Sequence, residues 1–130
     1  MAFGLSPKYI QDLRLESLTK EQFLVLAIEA AKNLDWSIGF ESETGFIAYT
    51  PFSMSSWSEE ITVKIEDGYA TIKSECSGNQ IYDWGKNKRN VEAIISDINI
   101  FKVSATPEEL ARLYEEFKQT IILKEERQGQ

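Results

Sequence analysis

The sequence predicts an α+β fold, a two-layer sandwich in which a four-stranded antiparallel meander carries one helix before it and two after it. Three observations predict this class. Apolar residues recur at helical spacing over 23–34, change to a period of two from Trp36 to Cys76, and return to helical spacing over 91–121. Short turns join the alternating segments, which favours antiparallel neighbours over the long crossovers of a parallel sheet. The 130 residues match the size of a single core. We read an N-terminal extension over 1–18, one α+β domain over 19–123 and a polar tail over 124–130.

The extension is weakly patterned, with one short helical turn expected between Pro7 and Leu15. The first helix opens at Leu18-Thr19-Lys20-Glu21-Gln22-Phe23. Thr19 is placed to cap it, Gln22 to return the bond, and Leu18 with Phe23 to close a hydrophobic staple. Its apolar stripe is Phe23, Leu24, Ala27, Ile28, Ala31 and Leu34. Trp36, Ile38 and Phe40 then alternate with polar neighbours in a first strand. Glu41 to Gly45 reads as a turn, and Phe46 to Thr50 as a second, β-branched and aromatic strand that Pro51 ends.

Glu59–Glu66 and Tyr69–Cys76 flank Asp67-Gly68, a pair suited to a two-residue type I′ hairpin turn. Such a loop sets Ile65 opposite Ala70, Val63 opposite Ile72 and Ile61 opposite Ser74. Thr62, Lys64, Thr71 and Lys73 then lie on the other face. A second helix carries Val91, Ile94, Ile95, Ile98 and Phe101. A third opens at Thr106-Pro107-Glu108-Glu109, a capping box with proline at the first helical position, and its stripe is Leu110, Leu113, Tyr114, Phe117 and Ile121.

The composition removes several function classes. There is no histidine and one cysteine, so no His/Cys metal cage and no Ser-His or Cys-His nucleophile pair can be assembled from this chain. We expect no catalytic residue, no metal and no cofactor. A net charge of −7 argues against nucleic acid as a partner. No stretch approaches the ~20 apolar residues of a membrane span, no signal peptide is apparent, and a single cysteine suits a reducing cytoplasm. Glu41/Glu43, Glu59/Glu60 and Glu108/Glu109 are paired in sequence. Neighbours on a strand point to opposite faces, so Glu59/Glu60 makes a poor catalytic dyad, and Glu108/Glu109 is explained by helix capping. Cys76 reads as a small buried thiol.

Two segments carry the candidate site. Gly78 to Asn90 sets Tyr82 and Trp84 beside Lys86, Lys88 and Arg89 in an otherwise acidic chain. One reading is an anion site at a helix N-terminus. The other packs the aromatics over the sheet and leaves the cations as a solvated face. The second segment, Ser53 to Glu60, surrounds Trp57 with hydroxyls and reads as a recognition loop or a polar crossover. One segment precedes the hairpin and the other follows it, so both belong to one end of the sheet. The candidate contact surface is therefore Trp57, Tyr82, Trp84, Lys86, Lys88 and Arg89.

The runs Thr44-Gly45-Phe46-Ile47-Ala48-Tyr49-Thr50, Phe52-Ser53-Met54-Ser55-Ser56-Trp57, Glu59-Glu60-Ile61, Cys76-Ser77-Gly78-Asn79-Gln80 and Asp83-Trp84-Gly85-Lys86-Asn87-Lys88 carry a resemblance. Over most of residues 1–125 the chain resembles the soluble N-terminal region that precedes the membrane domain in some bacterial rhomboid-family proteins, which are intramembrane serine proteases. The resemblance implies a larger parent, with this part at the cytoplasmic face of the inner membrane, and it transfers no catalytic residue. Residues and resemblance together suggest a non-catalytic accessory, regulatory or partner-recognition domain, its partner a protein or a covalently attached membrane domain. The alternative is a stand-alone binder of a small anion or lipid headgroup. Partner identity and oligomeric state are left open by the sequence.

Overall fold

The computed structural model describes residues 7–51, 58–76 and 85–128. The elements are β1 (Lys8–Arg14), α1 (Lys20–Asn33), β2 (Ser37–Ser42), β3 (Gly45–Tyr49), β4 (Glu59–Ile65), β5 (Tyr69–Cys76), α2 (Lys86–Ser104) and α3 (Pro107–Gln128). The fold is α+β, with an antiparallel sheet in the order β1-β5-β4-β3-β2. The sheet has five strands where the sequence suggested four. The added strand, β1, lies where a short helical turn was expected, and its residues alternate between exposed and half-buried. Its period-two pattern is weak because only Tyr9, Gln11 and Leu13 turn toward the helices, and one of them is polar.

The meander from β2 to β5 follows the expected order. In the β4–β5 hairpin Ile65 pairs with Ala70, Val63 with Ile72 and Ile61 with Ser74, so one apolar face serves both strands. The turn itself differs from expectation. Asp67 has no positive φ; Gly68 alone is left-handed, at φ 83°, whereas type I′ needs both residues there. The Gly68 carbonyl accepts from the Leu15 N–H at 3.0 Å, and Asp67 meets the Lys20 ammonium at 2.8 Å. The first contact ties the turn to the residue after β1 and the second to the first residue of α1. In β2 the register shifts between Ile38 and Phe40. This bulge turns Phe40 to the outer face, 60% exposed, instead of leaving it beside Ile38 on the inner one.

α1 starts as its sequence dictates. Thr19 Oγ1 accepts from the Gln22 N–H, and Gln22 Oε1 accepts from the Thr19 N–H. Its expected stripe is buried from Phe23 to Ala31, as are Val25, Leu26 and Ala30, while Leu34 at the C-cap is half-buried. The helix is wrapped more fully than one stripe requires, because it packs on β2, β3 and β4 beneath it and on α2 and α3 at its sides. α2 covers β5 and β1 through Val91, Ile94 and Ile98. α3 packs on α1 through Leu110 and Phe117. It continues through Lys124 to Gln128, the segment read as a tail, where Lys124 reaches Glu41 of β2 at 3.0 Å.

All these apolar side chains meet in one core on the helix face of the sheet. The opposite face carries one row across all five strands, Ile10, Lys73, Thr62, Ile47 and Phe40. Among the described residues no helix lies over it.

Candidate functional site

The end of the sheet where β3 finishes, β4 begins, β5 finishes and α2 begins holds a buried polar cluster. Glu59 opens β4 on the same face as Ile61, Val63 and Ile65, and is therefore carried into the core, 2% exposed. A buried carboxylate is costly unless it is paired and hydrogen-bonded, and Glu59 has both. Its Oε1 accepts from Asn90 Nδ2 at 2.9 Å and from Thr50 Oγ1 at 3.2 Å. Its Oε2 faces the Lys86 ammonium at 2.9 Å. Among the described residues no well-aligned hydrogen bond reaches Oε2, so the contact with Lys86 is chiefly Coulombic. The Glu59 N–H donates to Thr50 Oγ1 at 2.7 Å, which fixes the last residue before Pro51 against the first of β4.

The network continues into β5. Asn90 Nδ2 also donates to Ser74 Oγ (3.2 Å), and Ser74 Oγ donates to Asn87 Oδ1 (2.7 Å). Asn87 is fully buried. Its two amide hydrogens go to the Pro7 carbonyl at 3.0 Å and to Cys76 Sγ at 3.5 Å. The first turn of α2 presents polar groups inward at 86, 87 and 90, one helical face that runs on into Val91 and Ile94. Both amide hydrogens of Asn87 and both of Asn90 have acceptors, as buried polar groups require. Chemically, the cluster clamps together the four chain ends from which the segments 52–57 and 77–84 leave.

Three of the six residues singled out from the sequence, Trp57, Tyr82 and Trp84, lie outside the described residues. The other three occupy the first turn of α2 but point in different directions. Lys86 turns inward to Glu59, with its side chain 22% exposed. Lys88 is exposed and lines a groove between α2 and β1. Arg89 is exposed on a further side of the turn, near Gly85. The ends of the two candidate segments do come together, at Thr50, Glu59, Cys76 and Lys86. Cys76 is buried, 4% exposed.

The residues that sequence reasoning passed over are Glu59, Ser74, Asn87 and Asn90. Their signal was present: Glu59 falls two residues before Ile61 and so shares its face, and Asn87 falls one turn before Val91.

The second feature is the groove between α2 and β1, about 810 Å³, with Tyr9 and Gln11 on the strand side and Lys88, Ile95, Ile100 and Val103 among its helix side. Val103 is 89% exposed and Ile100 60%. Among the described residues no three of His, Cys, Asp and Glu gather as a metal site would need, and no helix is long and apolar enough to cross a membrane. No family model matches the chain, and no curated protein is significantly similar to it.

Proposed function

We propose that this chain is a non-catalytic accessory domain that recognises a protein partner, and that in its parent it is joined to a rhomboid-like membrane protein on the cytoplasmic side. One observation carries the reading: the buried carboxylate at the loop-bearing end is engaged by Lys86, while apolar side chains are left on open surfaces. Glu59 is matched by Lys86 inside the fold, whereas Phe40, Ile100 and Val103 stand more than half exposed. Exposed apolar patches on an otherwise polar surface mark interaction sites more often than chemical ones. The membrane-bound parent rests on the sequence resemblance alone.

The small-anion reading needs Lys86, Lys88 and Arg89 to converge, and Lys86 is drawn away by Glu59. A thermal scan with inorganic phosphate and phospholipid headgroups tests it, since a ligand at 100 times its dissociation constant adds about 2.7 kcal/mol. The first test of the proposal is an immunoblot of soluble and membrane fractions from source cells. A species much larger than 14.9 kDa in the membrane fraction is the expected result. A soluble species of that mass overturns the attachment.

A further inference from the structure

We propose that the free edge of β1 pairs with the same edge of a second copy, joining two sheets into one continuous ten-stranded sheet. The pairing draws on Ile100 and Val103, which also belong to the exposed surface described above, but it does not depend on the accessory-domain reading. Among the described residues β1 ends the strand order and no strand lies beyond it. Its inner ladder to β5 is set by two bonds, from the Cys76 N–H to the Pro7 carbonyl (3.1 Å) and from the Leu15 N–H to the Gly68 carbonyl (3.0 Å). In an antiparallel ladder alternate residues face the partner strand. Residues 7, 9, 11, 13 and 15 therefore turn their backbone groups to β5. Lys8, Ile10, Asp12 and Arg14 turn theirs to the free edge, and a row of such groups is a template for another strand.

Charge selects the occupant and the register. A two-fold axis through Ile10 sets Ile10 opposite its copy and Lys8 opposite Asp12, twice over, with outward-facing residues matched to outward-facing residues. Moving the axis to Gln11 would set Lys8 against Arg14, and moving it to Asp12 would oppose Asp12 to itself. Axes at Tyr9 or Leu13 would pair only the three end residues of β1 with their copies; of the longer registers, only the one centred on Ile10 avoids both repulsions.

The helix layer agrees with the same axis. The strand-side walls of the groove, Tyr9 and Gln11, flank Ile10, so the two grooves meet at the axis. α2 packs on both β1 and β5, the two strands nearest the two-fold, so the two copies of α2 face one another across it. The side chains between them include Ile100 and Val103, exposed in the single chain.

Sedimentation velocity of the full chain over a concentration series tests the pairing. The expected mass moves from 14.9 kDa toward twice that value as concentration rises. Ile10→Pro removes an N–H that faces the free edge and leaves the β5 ladder intact, a position where an edge strand tolerates proline. It should be monomeric with an unchanged circular dichroism spectrum. Lys8→Glu and Asp12→Lys should each weaken association about tenfold, because each reverses two exposed pairs at once, and the double variant should regain it. Should Ile10→Pro fail to fold, the charge-reversal series decides. A chain that stays monomeric throughout overturns the proposal. So does a dimer that ignores these substitutions.

Discussion

Glu59 is the residue on which most of the loop-bearing end turns. One carboxylate connects β3 through Thr50 and α2 through Asn90 and Lys86, at a point where water cannot substitute. Removing one member of a buried ion pair costs more than replacing both, since the remaining charge is left without compensation. Lys86→Met should therefore lose about 3 kcal/mol of stability, and Glu59→Gln in the same background should lose less than it does alone. Chemical denaturation of the four chains in that cycle measures the coupling, and simple additivity would sink the assignment. The pair of Lys20 with Asp67 makes a contrast. The Lys20 ammonium holds Asp67 below the ordinary carboxylate value, first by hydrogen bonding and then by its charge. A carboxyl that is the stronger acid in the folded state stabilises above its unfolded pKa, and that contribution is lost as pH falls through the folded value. Lys20, raised by the same contact, contributes until strongly alkaline pH. Both groups are exposed, so Asp67→Asn should lower Tm only slightly near neutrality. Thermal scans should show the difference closing in acid and shrinking with salt.

At the scale of elements, legibility followed how completely a segment's partners are encoded within it. α1 carries its own cap and stripe, and the β4–β5 register follows from a two-residue loop and alternation alone, so both were readable. β1 was not: Lys-Tyr-Ile-Gln-Asp-Leu-Arg has a mixed pattern, and its identity as a strand comes from β5, some sixty residues later. The bulge that turns Phe40 outward was equally hidden, because one unpaired residue inverts a strand's faces without altering its composition. The candidate site was half legible. The meeting of the two loop ends followed from topology, but treating Lys86 as surface charge overlooked Glu59, which the same alternation had already placed on the core face. Gly45 gives an element-scale test. A Cβ there would run into the Val63 carbonyl oxygen of the neighbouring strand, and backbone cannot yield as a side-chain tip would. Gly45→Ala should lower the denaturation midpoint by an amount typical of a core overpacking change, about 1–3 kcal/mol, and a neutral result would mean that β3 can shift along β4.

For the molecule as a whole, the described helices occupy one face of the sheet, and among the described residues nothing covers the outer face with its row from Ile10 to Phe40, the groove beside α2 or the outer edge of β1. A chain of this size buries a modest core, and pairing with a copy adds to its stability by mass action. Tm of the unaltered chain should therefore rise with protein concentration, while Tm of Ile10→Pro should not. Calorimetry at two concentrations separates these outcomes, and a concentration-independent Tm for both would count against edge pairing.

The position of β1 also has a temporal side. It is the first of the described elements, yet its partner in the sheet is the last described strand, and Asn87 of α2 holds the Pro7 carbonyl just before it. Pairing across so long a loop carries a larger closure entropy than any contact within the meander. On a growing polypeptide this strand emerges well before β5 and the start of α2 and waits for both before it can dock. An early strand thus closes this sheet only after the later strands have been made.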